Sequence, residues 1–226
     1  MPTLVDLVER LSFLAAVGVA GVFVTAGLLV VSRDWRINVI ALTVQYFFVA
    51  LLLARRIRLE VAAVKGLVGW LICMVFYLTE RRASVLKQAT ISEGADSEET
   101  LPAQRWRWWV MSARASFSLL AVFLISVAAY TAALRLPLPE SVISADITLA
   151  CYLLAGLGLL QIGLNEMPMQ VGFGLLTLLS GFDLFYVALE PSLAVAGLLS
   201  AVGFLIALAA AYLRTVQATT RETEAA

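Results

Sequence analysis

The chain has 226 residues, 62% of them apolar and 14% charged, with no net charge and a mean hydropathy of +0.93. That balance excludes a water-soluble domain and offers no basic surface for nucleic acid. Histidine is absent, which removes the commonest haem and metal ligand, so no cofactor and no metal are expected on this chain.

Uncharged runs of about 18 to 22 residues recur, enough to cross ~30 Å of hydrocarbon at ~1.5 Å per helical residue. The expected fold is all-α and integral to the membrane, with seven transmembrane helices in a compact bundle. Breaks at charges and prolines place the spans at 11–31, 37–54, 59–79, 115–134, 147–164, 169–189 and 192–213. The run from residue 11 to 31 lacks a small-residue cleavage site after it, so residues 1–10 are not expected to precede a removable leader.

Span one carries Gly18, Gly21 and Gly27, small residues that let helices approach closely. Span two holds Gln45 at its centre and Asn38 seven residues earlier on the same stripe. Amides in such positions commonly glue helices together, and they also allow a hydrated path. Span three carries Lys65, about 10 Å in from its start at ~1.5 Å per residue, too deep for the stem to snorkel the whole way. A charge in hydrocarbon costs roughly +2.5 to +3.5 kcal/mol on insertion scales, so Lys65 needs a partner, a neutral state or a function. It is either a switchable charge or a structural lysine paired to a neighbouring helix. Cys73 in span three and Cys151 in span five form no ligand cluster and read as small buried hydrophobes.

The connection from Glu80 to Arg114 is long, and its acidic centre at residues 92–100 is low in hydrophobicity, which predicts a flexible surface loop. The chain thus divides into 1–80 with spans one to three, a cytoplasmic loop at 81–112, and 113–226 with spans four to seven. At the loop's end, Arg105, Trp106, Arg107, Trp108 and Trp109 form an interfacial anchor, indoles at the headgroups and guanidiniums reaching phosphate.

Span five contains Gly156, Gly158 and, near its end, Gln161; span six contains Gly172, Gly174 and Gly181 beside Asp183. Asp183 has no cation near it in sequence. Tyr186, three residues on and on the same face, is placed to donate to it, and Thr177 lies nearly in line on the other side. Asp183 is accordingly a proton-exchanging group or a neutral acid held by Tyr186. Glu60, Asp146 and Glu166 flank span ends and read as interfacial. Lysines and arginines number five on the amino-terminal side and ten on the other, counted from Arg10, Arg55, Arg56, Arg58 and Arg135 against the remainder outside the spans. The excess favours an outside amino terminus and a cytoplasmic carboxyl terminus. No catalytic triad and no phosphate-binding loop is present, so the chain is not expected to be an enzyme by itself.

Two stretches carry a resemblance. Leu178-Leu179-Ser180-Gly181-Phe182-Asp183-Leu184-Phe185 is similar to the Gly-Leu-Glu segment of the small three-helix chain K of respiratory complex I. Gln45 together with Ala63-Val64-Lys65-Gly66-Leu67-Val68 resembles hydrogenase-4 component E, a seven-span relative whose carboxyl-terminal part is like chain K. Here that part covers about residues 146–214. The resemblance implies a non-catalytic membrane-arm subunit of a complex I-like or group 4 hydrogenase-like oxidoreductase in the inner (plasma) membrane. It implies antiporter-like membrane subunits as partners, any quinone chemistry elsewhere in the complex, and proton or sodium translocation with Asp183 in the place of the functional acid. Lys65, Asp183, Gln45 and Tyr186 are the relay candidates. The chain departs from chain K in having no acid in span seven around Ala201 and no arginine in the loop before the motif helix, where Glu166 stands. A scaffold that only seals the membrane arm is therefore the alternative, and an independent small-solute or ion transporter the third reading. No sequence repeat relates spans one to three to spans five to seven beyond shared apolarity.

Overall fold

The computed structural model describes residues 4–32, 34–54, 59–93, 102–136, 145–189 and 192–225, with side chains described over 16–32, 34–54, 62–82, 116–136, 145–186, 192 and 194–217. Among them run seven helices and no strand: α1 (Leu4–Val31), α2 (Trp35–Ala54), α3 (Leu59–Glu93), α4 (Pro102–Arg135), α5 (Ala145–Leu164), α6 (Pro168–Leu189) and α7 (Leu193–Ala225). By length and composition α2 to α7 give six helices able to cross a membrane, and the described apolar part of α1 is Ala16–Val31. The protein is compatible with a multi-pass membrane protein.

Helix ends follow local chemistry. Asp34 caps α2, its carbonyl accepting from Asn38 N at 3.0 Å, and Ser192 caps α7, accepting from Ala196 N at 3.1 Å; both residue types are favoured there. Pro168 occupies the first position of α6, where its missing amide costs nothing.

The helices pack as two three-helix layers. One layer is α1–α2–α3 and the other α5–α6–α7, each with its middle helix between the other two. The layers stack in register, α1 on α5, α2 on α6 and α3 on α7. Stacked helices run parallel: Ile72 lies near Gly203 and Glu80 bonds Arg214, so both members of the α3–α7 pair advance together. α4 lies outside this arrangement, against α5 and α1. Spans one to three and five to seven are thus repeated in architecture although their sequences are related only by apolarity. A membrane helix needs only apolar length, so two layers can share a plan while no position is shared between them.

Small residues set the closest approach. At Gly158 a Cβ would stand 2.6 Å from Leu178 N and 2.9 Å from Gly174 O, so α5 and α6 touch backbone to backbone. The core between layers is closed on one flank by Phe76 of α3 and Phe173 of α6, edge to face with centroids 4.9 Å apart, both fully buried. Large apolar side chains such as Phe47, Trp70, Phe123 and Leu205 point outward, each more than half exposed. In water that would be a liability; in lipid it is the expected surface.

One expectation fails. The connection from Glu80 to Arg114 is helical over most of its length, α3 continuing to Glu93 and α4 beginning at Pro102. Low hydrophobicity there marks departure from the membrane, not loss of helix: residues 80–93 hold alanine, leucine, arginine, lysine and glutamine with no glycine or proline. Of the acidic centre at residues 92–100, all but the first two residues lie outside the described ones. Arg105, Trp106, Arg107, Trp108 and Trp109 fall on the first turns of α4, and their side chains lie outside the described ones.

Candidate functional site

Lys65 and Asp183 meet. Lys65 Nζ forms an ion pair with Asp183 Oδ2, and their side chains are only 6% and 4% exposed. α3 packs on α2 and α7 while α6 packs on α2, α5 and α7, so the pair bridges a diagonal between the layers. The four-carbon lysine stem supplies the reach that the short aspartate lacks. Beyond this pairing, neither Lys65 Nζ nor Asp183 Oδ1 has a hydrogen-bond partner among the described residues.

The pair lines a cavity of about 10 Å³ together with Tyr46, Gly69, Ser200 and Gly203. That is room for about one water at most. Tyr46 enters because Gly69 has no side chain: a Cβ at Gly69 would lie 2.6 Å from Tyr46 Cγ. Ser180 stands close to the Tyr46 phenol, and its own hydroxyl donates to Leu176 O at 2.8 Å. Tyr46, Ser180 and the ion pair form one contiguous polar group inside an apolar junction of α2, α3, α6 and α7.

Further polar side chains continue along the layer interface. Gln45, 1% exposed, has neither amide atom bonded among the described residues. Thr177 donates back to Phe173 O at 2.9 Å within α6. Gln161 donates to Leu29 O at 3.4 Å and Asn38 to Ser32 O at 3.3 Å, both onto the end of α1, and each leaves its oxygen unbonded among the described residues. An unpaired buried amide is costly, so these groups mark places where the interface is polar without being satisfied by protein alone.

Tyr186 does not support Asp183 as expected. Its ring lies against Phe182, centroids 6.0 Å apart, and Asp183 Oδ1 has no hydrogen-bond partner among the described residues. Helical spacing put Tyr186 on the right face, but partly exposed Phe182 gives the ring an apolar neighbour, and Lys65 from across the bundle takes the carboxylate. Asp146 and Glu166 are exposed at span ends, as read from the sequence.

Sequence reasoning missed Tyr46 and Ser180, and also a second ion pair. Arg214 Nε donates to Glu80 Oε1 at 3.0 Å, joining α3 to α7 at the ends opposite Lys65. The signal existed: Glu80 and Arg214 are the first charges after two spans that run the same way. Among the described residues no group of three or more His, Cys, Asp or Glu could hold a metal ion. No family model, no curated protein and no solved structure matches this chain.

Proposed function

We propose that this chain is a non-catalytic membrane subunit that relays protons through the Lys65–Asp183 pair, within an ion-translocating, complex I-like or group 4 hydrogenase-like assembly of the plasma membrane. The observation that carries the proposal is the pair itself: a salt bridge enclosed between two helix layers, hydrogen-bonded to nothing else among the described residues. Transfer of the proton from ammonium to carboxylate neutralises both groups without moving either helix. In low dielectric the balance between those two forms responds to any charge that appears nearby. A neighbouring subunit that gains or loses charge would therefore drive proton uptake or release here. The buried polar groups along the interface, Tyr46, Ser180, Gln45 and Thr177, would supply the path once water enters. Hydride, hydrogen or quinone chemistry would belong to other chains, and the amino terminus would face outward.

Asp183→Asn in the assembled complex should abolish coupled proton movement across membrane vesicles while assembly persists, and Asp183→Glu should restore part of it. Unchanged translocation with normal assembly would remove the relay. Co-purification with large antiporter-like chains tests the setting; isolation as a stable monomer or homodimer with transport of its own would favour a transporter instead.

A second reading has its own support. The cavity beside the pair is small and most of its wall apolar, which suits a lock between helices better than a wet channel. On that reading Asp183→Asn lowers assembly and leaves the coupling of whatever complex remains untouched.

A further inference from the structure

Independently of the ion pair, α1 and α4 enclose a wedge. At one level they touch, Gly27 lying 3.6 Å (as a built Cβ) from Val122. Toward the start of α1 and the end of α4 they part, leaving an open groove of about 450 Å³ floored by Leu149 and Leu153 of α5. Its walls are Ala16, Val19, Ala20 and Phe23 on one side and Ser126 and Tyr130 on the other. The volume is in the range of small-molecule sites, roughly 300 to 1,000 Å³. Small side chains on α1 create it: Ala16 and Ala20, one turn apart, are where a leucine would fill the space.

The groove is apolar along its depth and polar at one end. Asp146, in the first turn of α5, is the one charged residue among the described residues lining it, and Tyr130, also in the lining, is 54% exposed. A phenol at that position suits the headgroup level of a bilayer. Arg135, in the last turn of α4, stands at the same end of the bundle. The mouth therefore offers a carboxylate at one end of an apolar slot. That pattern matches a zwitterion whose ammonium can donate hydrogen bonds to a carboxylate, carried on a hydrocarbon tail. An anionic headgroup would meet Asp146 as a like charge.

We propose that this wedge is a binding site for a phospholipid with a primary ammonium headgroup, its tail between α1 and α4 and its ammonium on Asp146. The full-length chain, purified in a non-ionic detergent, is titrated with phosphatidylethanolamine and with phosphatidylglycerol and read by native mass spectrometry. One phosphatidylethanolamine should remain bound, preferred over phosphatidylglycerol roughly two- to fivefold, the range of a partly exposed ion pair. Asp146→Asn should erase the preference and keep a lipid bound. Ala20→Phe should expel both lipids; Ala16→Leu, at an exposed position, serves the same purpose should the larger ring prevent folding. Equal retention of both lipids by the unaltered chain would overturn the proposal, as would undiminished retention after filling the groove. A dimer that dissociates when the groove is filled would also overturn it, because a second copy would then be the occupant.

Discussion

Two ion pairs stand on α3, fifteen residues apart and so about 22 Å along the helix. Lys65–Asp183 is enclosed, 6% and 4% exposed, and ties α3 diagonally to α6. Glu80–Arg214 ties α3 to its stacked neighbour α7, and its arginine is 30% exposed. The chemistry is alike and the surroundings differ. Water reaches Arg214 and screens its attraction, whereas the inner pair has nothing but its partner. The outer pair is screened on one side only, since Glu80 itself is 6% exposed. The inner pair cannot lose one member without leaving the other stranded, and that asymmetry is what makes it able to report a change in charge.

The largest effect should come from stranding one member of the inner pair. Asp183→Leu or Lys65→Met alone should destabilise the purified protein by about 3–5 kcal/mol, measured by thermal or chemical unfolding in detergent. The double variant, with two apolar side chains facing each other, should recover most of that loss. Single variants no worse than the double would mean that the pair is already neutral or wet, and the contrast with the outer pair would disappear.

Next comes the packing that holds the inner junction together. Gly69→Val should force Tyr46 away from Ser180 and cost about 1–3 kcal/mol, because the conflicting atom is the root of the ring and not a flexible tip. Gly163 has nothing within 4 Å of its notional Cβ. Gly163→Ala should therefore be neutral or slightly stabilising, by up to about 1 kcal/mol of helix propensity. Equal losses at both glycines would show that the effect is not one of close packing at Tyr46.

The smallest effect belongs to the outer pair. Glu80→Gln, which leaves behind only the partly exposed Arg214, should cost about 0–1 kcal/mol, and the difference from the unaltered protein should shrink as salt is raised. The loss from stranding an inner member should be insensitive to salt. A salt-independent loss at Glu80 would place that pair in the same class as Lys65–Asp183.

Much of the fold was legible in the sequence because each apolar run is a local property. Uninterrupted apolar length, with breaks at charge and proline, is sufficient to mark a helix that can span a membrane, and the spans agree with the helices from α2 to α7 within a few residues wherever apolarity is the signal. The reading failed where polarity was taken for disorder: residues 80–93 leave the apolar span but remain helical. Lys65 and Asp183 could each be singled out as anomalies, since a charge in an apolar run stands out without any knowledge of its neighbours. That they pair with one another was beyond the sequence. Position along each helix fixes depth, but which helices lie diagonal to each other depends on the stacking of the two layers. For the same reason Tyr186, correct in spacing, is bypassed, while Tyr46, an ordinary aromatic residue in α2, joins the site through the gap at Gly69. Composition and periodicity determined which segments are helices and which side chains are costly to bury. Only the packing of α1–α2–α3 against α5–α6–α7 decided which costs cancel, because the partner of a buried charge comes from a part of the chain that local sequence does not constrain.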